Sequence, residues 1–155
     1  MEIKVYATLD TDQLTEEMMY KIRSMEGAVT AAMADELWRI VDGNFGAFGI
    51  ERPFDWPDLT PAYARRVKRN FPTLEVTGKL RAAVIREYSA TTARVYLNND
   101  QVPYAMAQMR GYPPRNLPAR TAFPFDSAGE CLPFTAASVT NAAEEKLEEL
   151  LRGTG

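Results

Sequence analysis

Residues 81–97 read RAAVIREYSATTARVYL, and this stretch decides the fold class. Apolar and polar residues alternate from Val84 to Tyr88 and again from Thr92 to Leu97. A period of two is typical of half-buried strands. The stretch therefore predicts an antiparallel hairpin with its turn near Ala90, followed by turn formers at residues 98–100.

The amino-terminal part predicts one strand and two helices. Residues 2–9 alternate between apolar and polar side chains, as in a half-buried strand. Apolar residues then recur at helical spacing over 12–25 and over 29–41. Gly27 separates these patterns and is either a turn or a weak point in one long helix. We expect an amino-terminal helical pair, with Gly43 as the C-terminal cap of its second helix.

The middle of the chain predicts a packed loop, a short third helix and an extended segment. Residues 43–58 hold three glycines and two prolines among aromatic side chains, so we expect a loop that buries aromatics. Thr60 and Pro61 form a helix start signal, and the helix should end near Asn70. Four prolines within residues 111–125 exclude a long helix and predict an extended arm.

The last predicted element is an amphipathic helix over about 134–152, with acids on its outer face. Together the elements predict an α+β fold, made of the helical pair, the third helix, a small antiparallel β-sheet and the carboxy-terminal helix. A chain of 155 residues suits a single domain, residues 1–155. Since it shows neither an apolar run of membrane-spanning length nor a signal pattern at Met1, we expect it to be made and kept in a cytosol.

Residue counts exclude several classes of enzyme. The chain has no histidine and one cysteine, Cys131, which rules out Ser-His-Asp triads, Cys-His pairs and internal disulfides. It contains no P-loop, nucleophile elbow or dinucleotide fingerprint. Carboxylate pairs such as Asp10 with Asp12, or Asp55 with Asp58, favour caps and turns over metal binding or acid-base catalysis. We therefore expect no catalytic residue, no metal and no cofactor.

The charges are unevenly distributed along the chain. A net charge of -3 and a pI near 5.1 argue against a general nucleic-acid binder. Between the acidic ends, however, lies a basic segment in which Glu75 is the main acidic residue. Its basic residues are Arg65, Arg66, Lys68, Arg69, Lys79, Arg81 and Arg86. Two interpretations stay open, namely solvated helix and strand faces or a surface that contacts phosphates.

Four further segments follow one another in a fixed order: residues 56–64, residues 74–81, Tyr104 and Ala105 with Gly111, and residues 117–120. They are similar to an aromatic-x-x-Leu-Ser/Thr-Pro helix start, a Leu-x-x-Thr-Gly-x-Leu-Arg turn, a Tyr-Ala-x-x-His-Gln-x-Gly stretch and an Ile-Pro-Ala-Arg-Pro-Phe arm. Over roughly residues 1–125 the chain thus resembles the phage virion morphogenesis, or tail-completion, family of tailed bacteriophages, which includes proteins of Mu-like contractile-tailed phages. It departs from the family at Gln108, where histidine is frequent, and in the two residues that precede Phe123.

The resemblance implies a structural virion protein and no catalysis. Its copies would form a ring at the neck, a hexamer by analogy with six-fold tails, that completes the tail and joins it to the DNA-filled head. The implied partners are copies of itself, neighbouring neck and tail-tube or connector proteins, and DNA in the channel, with no membrane. Assembly would take place in the host cytoplasm. The alternatives are a head-side closure or adaptor component in twelve copies, and a small cytosolic DNA-binding or regulatory protein.

Within this role, we expect the arm at 111–125 to reach a neighbouring copy, because prolines lower the cost of ordering an extended segment. The expected subunit-interface residues are Pro118, Arg120, Phe123 and Tyr104, and Arg120 would pair with an acid or else be a solvated loop charge. The candidates for contact with DNA are Arg65, Arg66, Lys68 and Arg69, which would alternatively face outward or bind an acidic neighbour. Gly78 is the expected structural turn, because glycine permits a positive φ before the strand that contains Arg81.

Overall fold

The computed structural model describes residues 2–6, 16–46, 52–53, 55–57, 60–66, 78–126 and 130–153. Its elements, in chain order, are β1 (Glu2–Tyr6), α1 (Glu16–Phe45), α2 (Pro61–Arg66), α3 (Lys79–Ala82), β2 (Val84–Tyr88), β3 (Thr92–Leu97), α4 (Ala105–Arg110), a 3₁₀ turn (Pro113–Arg115) and α5 (Pro133–Arg152). The predicted α+β class is confirmed.

The predicted hairpin supplies two strands of a three-stranded antiparallel sheet with the order β1-β3-β2, in which β3 is the central strand. Val84 lies opposite Leu97 and Tyr88 lies opposite Ala93, and the Ser89 N–H donates to the Thr92 carbonyl across the turn. The alternation places Ala93, Val95 and Leu97 of β3 in the core, on the face that α1 covers. The strand predicted over 2–9 is present as β1, and residues 7–9 lie outside the described part.

The expected helical pair is one continuous helix, because α1 runs without a break from Glu16 through Gly27 to Phe45. A glycine inside a helix costs only about 1 kcal/mol relative to alanine. Packing of Met33, Leu37 and Val41 against the sheet and α5 readily outweighs that cost. Gly27 is therefore a weak point in one long helix, and α1 continues past Gly43, the expected cap. The expected start at residue 12 lies outside the described residues.

The carboxy-terminal helix is confirmed as α5, which packs along α1 and buries Thr135 and Val139. The third helix, α2, begins at Pro61 as expected, and the Ala64 N–H donates to the Thr60 carbonyl at 2.8 Å. Residues 67–70, where we expected its end, lie outside the described part. One core cluster joins side chains from α1, α3, β2, β3, α4 and α5.

Gly78 has the positive φ that the sequence predicted, with φ of 67° and ψ of −8°. It precedes a single helical turn, α3, so Arg81 lies in that turn and the strand begins three residues later at Val84. The difference arises because Leu80 of α3 is drawn into the core beside Ala83.

Substitution of Gly78 by valine should lower the free energy of unfolding by at least about 1–2 kcal/mol and reduce the yield of soluble protein. A branched side chain at left-handed dihedrals places its Cβ too close to the following carbonyl oxygen. Gly78→Asn is the control, because asparagine visits this conformation more readily. Thermal unfolding followed by circular dichroism should rank the variants wild type, Asn, Val; equal stability of the Asn and Val variants would contradict the argument.

Candidate functional site

The second half of the predicted arm lies inside the chain's own fold. Ala122 and Phe123 are fully buried in the core cluster. The Trp56 Nε1–H donates to the Thr121 carbonyl at 2.9 Å, and the Asn44 side-chain amide donates to the Ala122 carbonyl at 2.9 Å. Residues 121–123 are therefore held between the end of α1 and the loop before α2.

Arg120 is only 5% exposed, and its guanidinium faces its own chain. Nε and Nη2 both donate to the Pro57 carbonyl, at 3.1 and 2.9 Å, and the Arg120 backbone N–H donates to the Gln108 carbonyl. A side chain this deeply buried offers no surface to another subunit. Arg120 and Phe123 are thus core residues in this structure, whereas the sequence led us to expect both at a subunit interface. Of the expected interface residues, Tyr104 is 47% exposed and Pro118 is half-buried, so these two stay predictions.

The first half of the arm is a compact loop on the surface, residues 112–117, which we call the Tyr112 loop. Its two ends exchange backbone hydrogen bonds, from Tyr112 N–H to the Leu117 carbonyl and from Leu117 N–H to the Tyr112 carbonyl. Asn116 completes the reversal with a φ of 50°. Residues 112–116 are all exposed. The arm is therefore a closed loop followed by a core segment and does not extend away from the domain.

A close approach of two backbone segments sets the position of the Tyr112 loop. Gly111 ends α4 with φ of 79° and ψ of 166°. A Cβ built on it would lie 2.9 Å from both the Ala119 nitrogen and the Leu117 oxygen. Only glycine fits this position without moving the backbone.

Two arginines of the basic segment are paired with acids of α1. Arg81 forms a bidentate pair with Asp42, with both contacts at 2.5 Å. Arg86 lies 2.7 Å from a carboxylate oxygen of Asp35, and its guanidinium stacks over the Trp38 ring. The sequence had indicated little acidic opposition to these arginines, and both ion pairs appear only in the fold. The available signal was the spacing of Asp35 and Asp42, which places both on one face of a helix at seven residues apart.

The four residues that we expect to contact DNA divide into two groups. Arg65 and Arg66 are exposed on α2. Lys68 and Arg69 lie outside the described residues. The structure therefore leaves two exposed arginines of this set on one short helix.

A second ionic cluster lies on the sheet face turned away from α1. The Tyr96 hydroxyl donates to the Glu87 carboxylate at 2.5 Å, and Arg94 Nε donates to it at 2.8 Å. These two donors hold the pKa of Glu87 below its ordinary value. The cluster pairs β2 with β3 across the hairpin, which indicates a structural role.

A groove between α1 and α5, which we call the acidic groove, has a clear charge pattern. Its charged lining consists of Asp35, Glu36 and Arg39 from α1, and of Glu145, Lys146 and Glu149 from α5. Ala32 and Ala142 leave room between the two helices. Glu36 is bonded to Arg39, which holds the pKa of Glu36 below its ordinary value. The groove thus carries four carboxylates against two cations.

Within the acidic groove, Glu149 accepts from Lys146 at 2.8 Å and Asp35 pairs with Arg86. Glu145 differs, because it forms no ion pair within the described part of the chain. Its neighbour Glu144 is likewise exposed and without an ion pair among the described residues. Glu145 therefore brings an unneutralised carboxylate into the groove, whereas Glu144, the preceding residue of α5, is not part of the groove lining.

Cys131 is half-buried, and its backbone bridges to Phe125. In the ranges that the structure describes, no three His, Cys, Asp or Glu side chains converge as metal ligands. No helix among those residues combines the length and apolarity needed to cross a membrane.

Comparisons of this chain with protein-family models, with curated proteins and with solved structures find no match.

Proposed function

We propose that this chain is a structural protein of a tailed-phage virion whose copies form a ring at the neck, completing the tail and joining it to the head. Six copies are favoured, by analogy with six-fold tails. In this proposal the chain contributes surfaces and no catalytic groups. Its partners are copies of itself, adjoining neck and tail-tube or connector proteins, and DNA in the channel.

The observation that carries the proposal is the way the segments of the tail-completion resemblance contact one another. The Trp56-Pro57 segment bonds directly to the Arg120-Thr121 segment, through Trp56 Nε1 and through the Arg120 guanidinium. The stretch that ends at Gly111 lies against the backbone of residues 117–119. Segments that are far apart in the chain but contact one another in the fold depend on each other. We therefore expect proteins that share this fold to contain these segments together, and their contact here supports the resemblance.

The exposed residues suit a protein that assembles with copies of itself. A ring requires two different surfaces on each copy, one that is presented to the next copy and one that receives it. The chain has an arginine-bearing exposed loop and, on another element, an acidic groove. Arg65 and Arg66 are exposed on α2, where sequence-independent contact with phosphates requires only cationic side chains.

Deletion of the gene from the phage or prophage that encodes it tests this function. We expect DNA-filled heads and separate tails in electron micrographs, with joined particles restored by the wild-type gene on a plasmid. Normal numbers of joined, infectious particles without the gene would contradict the proposal. Imaging the restored particles gives the copy number at the neck, and twelve copies would assign the chain to the head-side adaptor instead.

A further inference from the structure

The Tyr112 loop has the properties of a preorganised binding element. Its ends are closed by two backbone hydrogen bonds, and Pro113 and Pro114 restrict the backbone between them. A segment that is ordered before it binds loses little conformational entropy on binding. The loop is also exposed along residues 112–116, so a partner reaches it without any change in the fold.

The side chains around the loop indicate an acidic partner. Tyr104 and Tyr112 are 47% and 46% exposed. Arg110 and Arg115 are exposed, and neither forms an ion pair within the described residues. The sequence contains no carboxylate between Asp100 and Asp126. Tyrosine and arginine are the residue types that contribute most often to binding hot spots, and here no acid of the same segment competes for the arginines.

The chain itself contains a surface with the complementary charge. The acidic groove holds Glu145, which has no ion pair in the described part of the chain, and Glu144 lies beside it. Ala32 and Ala142 leave space there for a larger side chain. Arg110 at the end of α4 and Arg115 in the Tyr112 loop thus match Glu144 and Glu145 of α5 in number and in opposite charge, and none of the four forms an ion pair among the described residues.

We infer that the Tyr112 loop of one copy, together with Arg110 at the end of α4, docks against the acidic groove of the next copy, with Arg110 and Arg115 facing Glu145 in the groove and the neighbouring Glu144 of α5. The contact joins two different surfaces, so repetition produces a ring when the rotation closes. This inference rests on the proposed ring and names the surfaces that build it. A protein partner fits better than DNA because the loop and the end of α4 together offer only two cations, on a chain of net charge -3.

Reciprocal charge reversal tests the contact. The loop variant carries Arg110→Glu and Arg115→Glu, and the groove variant carries Glu144→Arg and Glu145→Arg. Each variant alone opposes like charges at every contact, so we expect the dissociation constant between copies to rise by at least about a hundredfold. In an equal mixture, the reversed loop meets the reversed groove and the native loop meets the native groove. The mixture should therefore assemble as alternating copies, measured by sedimentation velocity and native mass spectrometry.

A control with the same change of net charge as the loop variant carries Arg23→Glu and Lys79→Glu, which lie on α1 and α3 and are both exposed. It should associate as the wild type does, and circular dichroism should show that all variants are folded. Raising the salt concentration should weaken the wild-type association, because exposed charge pairs are screened.

Four results would overturn the inference. If both reversed variants still formed rings as tightly as the wild type, the contact between copies would lie elsewhere on the surface. The proposed function would be unaffected by that result. Failure of the equal mixture to assemble would exclude the loop-to-groove pairing. A wild-type protein that stays monomeric at every concentration would exclude this docking. So would a loop variant that no longer binds DNA in a gel shift but associates as the wild type does. Deletion of the gene tests the proposed function independently of these outcomes.

Discussion

Replacement of Phe123 by alanine is expected to lower the free energy of unfolding by about 3–5 kcal/mol. The ring of Phe123 is fully buried in the core cluster, next to Ala122 and in contact with the layer that α1 and the sheet enclose. Truncation removes the transfer free energy of the ring and leaves a cavity that the packed backbone of residues 121–125 cannot fill. Urea unfolding followed by far-ultraviolet circular dichroism measures this loss.

Phe134→Ala is the matched control, because Phe134 is 62% exposed at the start of α5. We expect its stability to stay within about 0.5 kcal/mol of the wild type. The comparison also separates the two roles considered for Phe123. If Phe123→Ala left monomer stability unchanged and weakened only the association of copies, Phe123 would be an interface residue after all.

Gly111→Ala is expected to lower the free energy of unfolding by at least about 2 kcal/mol, although it adds one methyl group. The φ of 79° and ψ of 166° lie in a region that only glycine adopts readily. The new Cβ would also meet two backbone atoms, Ala119 N and Leu117 O, at 2.9 Å, and backbone cannot move aside as a flexible side chain can. Thermal and urea unfolding should both report the change.

Gly27→Ala is the opposite case and serves as the control. Gly27 lies within α1, and a Cβ built there has no neighbour within 4 Å. Alanine at this position should raise the stability by about 0.5–1 kcal/mol through its higher helix propensity. If Gly111→Ala left the stability unchanged or raised it as Gly27→Ala should, the argument from space and dihedral angles at Gly111 would fail.

The reversed charges in the Tyr112 loop and the acidic groove address a different question from these substitutions. Phe123 and Gly111 determine whether the domain folds and where its loop points, whereas Arg110, Arg115 and Glu145 lie on its surface. Loss of association in a folded charge variant is therefore evidence about the contact, and loss of folding in a core variant is not.

Local patterns predicted the elements that short-range chemistry determines. The period of two over residues 84–97 predicted the hairpin and its turn, the amphipathic spacing of residues 134–152 predicted α5, and Pro61 predicted the start of α2. In each case, the residues that carry the signal are neighbours in the chain. The same holds for Gly78, whose positive φ depends on its immediate backbone.

Parts of the candidate site could not be predicted, because they depend on residues far apart in the chain. Asp35 and Asp42 neutralise Arg86 and Arg81 only because α1 packs on the sheet. The groove that contains Glu145 exists only where α1 and α5 lie side by side. The numbers of acidic and basic residues in a sequence do not show which of these side chains form ion pairs in the fold.

The sequence by itself determined the hairpin, the start of α2, the helix α5 and the positive φ of Gly78, because these follow from residue type and spacing over a few positions. It also excluded histidine chemistry, since the chain contains no histidine. Only the tertiary structure decided that α1 continues through Gly27, and that Arg120 and Phe123 belong to the interior. The physical reason is that burial is a property of contacts such as Asn44 with Ala122, 78 residues apart, and Arg120 with Pro57, 63 residues apart. The packing energy of such contacts exceeds the local preferences for a break at glycine or for an extended proline-rich arm.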